Sequence, residues 1–421
     1  MSRRWVLYSY DALGLGHVRR SLALARAVLA KRPDLATLLI TCSPMVDALP
    51  VPPGLDYIKL PSARKLGNQR YGPRSLPIDS AHFSAFRSAL VREAVEQFDP
   101  ELLLVDKAPA GMMGELLETL ERARRRGRPA RRVLGMRDIL DEPSIVAEEW
   151  KAQGLISILD RHYDEVWIYG DRALFDTSKA YEWPKRVASR VRYLGYLVPT
   201  PDAAARNAAR ARYDAHGERL AVVTVGGGED GAEVIAAYLR AAELRLLPPR
   251  LRSVVVLGPC MPADQREALG SRAPDGVRIE SFIPDLGPLI AAADVVVGMA
   301  GYNTVCELLA AGTPAVLVPR VRPRREQWLR ARALATRGLA ELVEPDTLEP
   351  RTLADGIRRA LERGRMKGNP PAADGLAQFV GQVDRLVPGV LPALVAAGSR
   401  RSGPSDEDAE VDALARSAGW S

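Results

Sequence analysis

Hydrophobic positions in this chain fall into short unbroken runs separated by longer stretches of helical spacing. Trp5 to Ser9, Leu35 to Thr41 and Leu55 to Leu60 have the length and β-branched content of buried strands. Between the first two, Val18, Leu22, Ala25 and Leu29 recur every three or four residues, the period of a helix with one apolar face. The alternation continues. Ser80 to Phe98 reads as an amphipathic helix stopped by Asp99-Pro100, and Leu102 to Val105 as a strand. Met112 to Arg126 reads as a helix, and Val133 to Met136, Glu165 to Tyr169 and Val191 to Leu194 as strands. The order restarts after Leu197-Val-Pro-Thr-Pro201, a linker stiffened by two prolines. Strands are then expected at 220–225, 254–257, 277–281, 295–297, 314–318 and 339–343, with helices between them. Strands alternating with helices imply mostly parallel sheets covered on both faces, here in two successive halves. One long interruption, Pro61 to Ile78, carries Arg64, Lys65, Arg70 and Arg74 among Gly and Pro and is expected to be a binding loop.

Each half opens in the same way: strand, glycine turn, helix. The first turn ends in Gly14-Leu-Gly16-His17 and the second is Gly226-Gly227-Gly228. A third such turn follows Val297, where Gly298 to Gly301 leads into a helix from Thr304 to the stop at Gly312. A helix that starts directly after a turn presents free N–H groups and the positive end of its dipole, which suits phosphate. Gly226, Gly227, Gly228, Ala300, Gly301, Tyr302, Asn303 and Thr304 are therefore the candidate diphosphate cradle. A triple glycine alone is equally a tight turn with no ligand; the pairing of two such turns is what points to phosphate. The first turn lacks the third glycine of a dinucleotide fingerprint, since Arg19 stands beyond it, and no acidic residue closes the second strand.

Ligands of such sheets bind beyond the carboxyl ends of the strands. In the first half those ends carry Asp11, Asp106, Lys107, Arg137 and Asp138. His17 and Asp138 are the candidate catalytic residues; Gly16, Lys107 and Arg137 are candidates for the acceptor side. His17 is either a proton acceptor, kept neutral by its place at a helix start, or a capping or acceptor-positioning group.

Composition narrows the classes. The chain has 421 residues, 47% hydrophobic and 26% charged, enough for two cored domains. No apolar run approaches the roughly 20 residues that span a bilayer, and the N-terminal residues run straight into a strand without a leader pattern. Cys42, Cys260 and Cys306 are too far apart for a disulfide framework or a zinc site, so a reducing cytoplasm is expected. The net charge of +7 is spread over scattered Arg with only 6% aromatics, which suits a solvated surface better than nucleic acid. No Asp-x-Asp closes a strand; Asp406-Glu-Asp408 lies in the polar C-terminal stretch. The four His do not have metal spacing, so neither metal nor cofactor is expected.

From Phe282-Ile283-Pro284-Asp285 through Gly301, Glu307, Gly312, Pro314, Pro319 and Gln327 to Gly338, the chain resembles the C-terminal domain of the MurG-like family 28 glycosyltransferases. The resemblance implies a GT-B fold of two Rossmann-like domains facing across a cleft. Residues 1–198 would bind the acceptor and 199–375 the nucleotide sugar. Residues 376–398 would hold a helix packing back on the first domain, and 399–421 a mobile tail. It implies inverting, metal-independent transfer from a UDP-, GDP- or dTDP-linked sugar. Glu307 would bind the ribose hydroxyls, the Ile283 backbone would read the base, and Gln327 would meet the donor sugar. Glu326 and Arg330 depart from the family pattern of Gln and Asn, which leaves the sugar open. The polar 61–78 loop points to a small polar acceptor. Two other readings are a nucleotide-sugar 2-epimerase and transfer to a lipid-linked acceptor. The latter requires an apolar patch with a basic rim on the first domain, which no continuous segment supplies, so peripheral membrane contact is not favoured.

Overall fold

The computed structural model describes residues 3–10, 16–67, 70–125, 130–198, 202–213, 215, 217–366 and 374–389. The first half is a sheet of seven strands: β1 (Arg3–Tyr8), β2 (Leu35–Thr41), β3 (Leu55–Lys59), β6 (Leu102–Asp106), β7 (Arg131–Arg137), β8 (Glu165–Tyr169) and β9 (Val191–Tyr193). Their order is β3-β2-β1-β6-β7-β8-β9, and every pairing is parallel. The second half repeats the plan. β10 (Arg219–Thr224), β11 (Leu251–Val256), β12 (Val277–Glu280), β13 (Val295–Gly298), β14 (Ala315–Leu317) and β15 (Glu341–Leu342) run in the order β12-β11-β10-β13-β14-β15, again parallel. In both sheets the chain reverses its direction of build beside the first strand, between β1 and β6 and between β10 and β13. That crevice is where such sheets bind ligands.

The strands are apolar on both sides because helices cover both sides. Trp5 and Leu7 of β1 join one core, and Val6 and Tyr8 join the other, the two-residue period of a pleated strand. The helix Gly16–Leu29 buries Val18, Leu22, Ala25 and Leu29, the face expected from their spacing. The first core does not stop at the domain boundary. It runs from Trp5 and Leu7 through Tyr196 to Val222, Val296 and Tyr302, so residues up to Val387 form one compact unit.

The closing helix is Gly375–Leu386, within one residue of expectation at its start. It seats Phe379 among Trp5, Trp167 and Tyr169 of the first half, at 6.3, 5.3 and 6.4 Å between ring centroids. Its ends are fastened by Arg32 to Asp384 at 2.9 Å and Arg385 to Glu165 at 2.6 Å. Residues 390–421, which include the expected tail, lie outside the described residues, as do 199–201 of the linker.

Two expectations change. The segment after Pro61 is not a loop. It is an antiparallel hairpin, β4 (Ala63–Gly67) and β5 (Arg70–Pro73), with a register shift between Lys65 and Gly67. The helix expected from Met112 starts only at Leu117, because Gly111 and Gly114 both hold positive φ and the intervening chain is a series of turns.

Candidate active site

The two glycine turns of the second half meet. Gly226 to Asp230 follow β10 and Met299 to Thr304 follow β13, adjacent parallel strands, so both turns open on the same crevice. Together with Arg320, Gln327 and Arg137 they line a cavity of about 230 Å³. Of these glycines, Gly228 is required by close approach. A Cβ on Gly228, whose φ is +95°, would stand 2.5 Å from the Leu257 carbonyl oxygen. The second turn holds Ala300 in the left-handed region at φ 61°, a strained position for a side-chain-bearing residue. Its carbonyl accepts from Nη1 of the buried Arg330 at 3.1 Å, which fixes the turn. The helix Tyr302–Ala311 then begins with its N–H groups toward the cavity.

Polar groups around this cavity are largely committed. Arg320 is paired with Asp230 and Glu326, both at 2.8 Å, and its backbone N–H donates to Gln327 Oε1 at 3.2 Å, leaving the Gln327 NH2 to donate elsewhere. Glu307 lies one turn beyond Asn303 on the same helix face, since residues four apart on a helix are neighbours. Burial and the neighbouring Asp285 carboxylate push its carboxyl up to about 7.

Across the crevice stands His17, the second residue of its helix. Its Nδ1 lies 2.5 Å from Asp106 Oδ2 at the end of β6. Asp106 Oδ1 is held by Arg20, one turn along the helix, at 2.5 Å. Burial alone would raise the Asp106 pKa, but the Arg20 guanidinium and His17 outweigh it and keep the group ionised. An ionised carboxylate can only accept, so the shorter contact to Asp106 places the ring proton on Nδ1, although Arg20 Nη2 stands 2.8 Å from the same nitrogen, and Nε2 keeps a free lone pair. Burial, reinforced by Arg20 and opposed by Asp106, lowers the His17 pKa to about 4. The ring is thus neutral, oriented and able to take a proton.

Beside His17 a larger chamber of about 610 Å³ opens in the first half. Tyr10 and Tyr71 form one wall, joined by a hydroxyl–hydroxyl hydrogen bond of 2.7 Å, with Tyr71 contributed by the hairpin. Met112, Met113, Val146 and Trp150 supply apolar surface. Lys107 stands in the wall with Nζ 4.5 Å from the Tyr10 ring centroid. Burial and then Arg137 push its pKa down to about 8. Arg324 reaches in from the second half, paired with Asp141 at 3.2 Å and Glu149 at 3.0 Å.

Residues 222–380 match the model of the glycosyltransferase family 28 C-terminal domain. That match falls on the second half of this chain. Among curated proteins, a UDP-N-acetylglucosamine–N-acetylmuramyl-(pentapeptide) pyrophosphoryl-undecaprenol N-acetylglucosamine transferase of an Exiguobacterium species is 34% identical over 172 residues, 38% of this chain and 47% of the relative. The protein of the same description from Histophilus somni is 33% identical over 175 residues, 41% of this chain and 46% of the relative. The chain spans about half the length of the curated relatives it matches. Among solved structures, Acinetobacter baumannii MurG superposes with a TM-score of 0.55 at 15% identity, over 91% of this chain and 99% of that one. A UDP-glucosyltransferase from Polygonum tinctorium gives 0.60 at 13% identity, over 93% and 99%. These likenesses establish the GT-B fold.

Against the family 28 pattern, the residues expected from sequence divide into three groups. Gly226, Gly227, Gly228, Gly301, Tyr302, Asn303, Thr304 and Gln327 line the donor-side cavity, and Ala300 sits beneath it in the turn. Gln327 lies in the first turn of the helix Glu326–Thr336, and Glu307 in the second turn of the helix Tyr302–Ala311. Glu307 and half-buried Ile283 do not line that cavity. On the first half, Lys107 faces the chamber, while Gly16 and Arg137 approach each other: a Cβ on Gly16 would lie 3.7 Å from Arg137 Nη2. Arg137, expected on the acceptor side, instead lines the cavity of the glycine turns. Asp138 is turned away from both cavities. It is fully buried at the junction, 3.3 Å from Arg330 Nη2, accepting from Tyr196 Oη at 2.8 Å and from the Ile139 N–H at 2.8 Å. Its oxygens are engaged and neither cavity opens on it, which fits a joint between the halves better than the proton acceptor expected of it. The carboxylate that meets His17 is Asp106, and its place at the end of the strand beside the His-bearing turn is the sequence signal for it.

Proposed function

We propose that this chain transfers a sugar from a nucleoside diphosphate to an acceptor hydroxyl by single inverting displacement. The observation that carries this reading is the placement of an oriented neutral imidazole opposite a cavity lined by two glycine turns and a helix N-terminus. The acceptor oxygen gives its proton to His17 Nε2 as it attacks the anomeric carbon. The bond from that carbon to the β-phosphate oxygen breaks on the opposite side. The departing diphosphate is met by N–H groups of residues 226–228 and 301–304, dipoles already aimed before charge develops. Asp106 holds the imidazolium until the proton is released. Glu307 accepts the ribose hydroxyls, and the relatives' names favour UDP-N-acetylglucosamine as donor.

For the acceptor, the chamber favours an amphipathic molecule with an anionic group over the small polar one expected from the 61–78 segment. Its walls set aromatic and apolar side chains beside Glu149, Gln153 and Arg324, and among the described residues Lys107 is its cation without a carboxylate partner. A lipid-linked acceptor, as in the names of the relatives, meets that description. The surface supports it too. Phe86 and Leu90 are exposed one turn apart on the helix Ser80–Phe98, and Leu66 is exposed on the hairpin that packs on that helix, with exposed Arg64 and Arg74 alongside. The sequence hid this patch because its members come from separate elements. Apolar residues rimmed by Arg suit the surface of an anionic bilayer. No helix among the described residues is long and apolar enough to cross one.

Titration calorimetry with UDP, GDP and dTDP tests the donor side, and binding of none of them would overturn the reading. Incubation with UDP-N-acetylglucosamine alone and then with a lipid extract, followed by mass spectrometry, tests the acceptor. A glycosylated lipid is expected; an epimerised donor without acceptor would replace transfer by epimerisation.

A further inference from the structure

Among the described residues, several guanidinium groups crowd the crevice between the halves, and most of them are neutralised. Arg20 is paired with Asp106, Arg330 with Asp138, and Arg320 with Asp230 and Glu326. Arg137, at the end of β7, has neither an ion pair nor a hydrogen bond among the described residues, and its Nε is buried without a partner. It lies near the start of one helix at Gly16, and its Cζ is 5.1 Å from the ring of Tyr302, which starts another. Both helices present their positive ends there. A cation between two helix N-termini, with Arg20 and Arg330 as its charged neighbours, is unfavourably placed as it stands. Burial and those two neighbours push its pKa down to about 10, which still leaves it charged at neutral pH. The placement becomes favourable when an anion enters the cavity that Arg137 lines.

We infer that Arg137 is the group that grips the sugar-bearing β-phosphate of the nucleoside diphosphate, supplied to the donor cavity by the opposite half of the molecule. This rests on the function proposed above. Glu307 and the Ile283 segment belong to the second half and hold the nucleoside there. The phosphate that reaches toward the first half is the one bonded to the sugar, and among the described residues lining that cavity the Arg137 guanidinium is the cation without an ion pair to meet it. As the anomeric carbon–oxygen bond breaks, the electron pair stays on this phosphate oxygen, and Arg137 stabilises the charge. The donor therefore binds fully only when both halves close on it, and His17 and Arg137 arrive together from the same sheet, one for each end of the displacement.

The test compares uridine, UMP and UDP binding by calorimetry for the unaltered chain, Arg137→Gln and Arg137→Lys. Unaltered, the chain should bind UDP at least tenfold more tightly than UMP. Arg137→Gln should weaken UDP by about 10- to 100-fold, the effect of one charge-assisted contact, and leave uridine and UMP within about twofold. Arg137→Lys should recover part of the loss. Undiminished UDP affinity in Arg137→Gln, or equal losses for UMP and UDP, would overturn the inference. If the Gln variant does not fold, equal affinity of the unaltered chain for UMP and UDP overturns it. Failure of the unaltered chain to bind any of the three removes the proposed function itself, a separate result.

Discussion

At the residue scale the proposed chemistry depends on two side chains whose ordinary titration is shifted by burial. His17 is held at about 4, so the neutral base is present throughout the physiological range. With the pKa lowered in the folded state, the neutral form is lost only as pH falls through that value. With donor and acceptor saturating, so that binding no longer limits, turnover should be flat from about pH 5 upward and fall tenfold per unit below about pH 4, read from a pH profile of kcat. Replacing Asp106 with Asn removes both the carboxylate that fixes the tautomer and the partner of Arg20. A loss of about 100-fold or more in kcat is expected, with nucleotide affinity unchanged. Glu307 moves the other way. Its carboxyl is raised to about 7, so the apo chain gains stability from its protonation below that pH and loses it as pH rises through it. Ribose hydroxyls need the ionised form. Uridine affinity should therefore rise from pH 6 to pH 8 with proton release near neutrality, measured by calorimetry in buffers of different ionisation enthalpy. Glu307→Gln should abolish that release.

At the scale of elements, function sits in turns whose shape is set by what cannot fit. Gly228 passes so close to the Leu257 carbonyl that any side chain must displace one of them. Gly228→Ala should lower stability by about 1–3 kcal/mol and cost at least tenfold in UDP affinity, because the amides that would face phosphate are moved with it. Thermal unfolding and calorimetry on the same preparation separate the two effects. The hairpin β4–β5 makes a comparable point. A stretch that reads as an irregular polar loop pairs with itself and packs on the helix Ser80–Phe98, bringing Tyr71 to Tyr10 at the chamber wall.

At the scale of the whole molecule, the halves are joined by buried polar contacts as well as by a common core. Tyr302 Oη donates to the Tyr169 carbonyl at 3.0 Å, and Arg330 bridges Asp138 to the Ala300 carbonyl. Removing one member of a fully buried ion pair strands the other. Arg330→Ala should cost about 3–5 kcal/mol, seen as a lowered denaturant midpoint. Asp138→Asn should lower stability as well, and leave kcat per folded molecule close to unaltered. A loss in kcat at the level of the Asp106 variant would return Asp138 to a catalytic role. Phe379→Ala opens a cavity among three aromatic rings, with an expected loss of about 3–5 kcal/mol on the same scale.

The alternation of apolar runs and helical periods by itself determined that this chain makes two parallel sheets, where most strands lie, and which turns carry the glycines. These are local properties: strand burial on both faces and backbone freedom at a turn are written in consecutive residues. The order of the strands then brought His17 beside Asp106, and Gly226–Gly228 beside residues 299–304, because strands distant in sequence became neighbours at each crevice. Which carboxylate meets the imidazole, which Arg of the crevice is left unpaired among the described residues and what surface lines the first-half chamber were decided only in three dimensions. Asp106 and Asp138 both close strands in the first half and differ in what surrounds them. Arg137 and Arg330 are alike in sequence and differ in whether a counter-charge lies within reach. Ion pairing and burial depend on distances between residues far apart in the chain, and those distances exist only after folding.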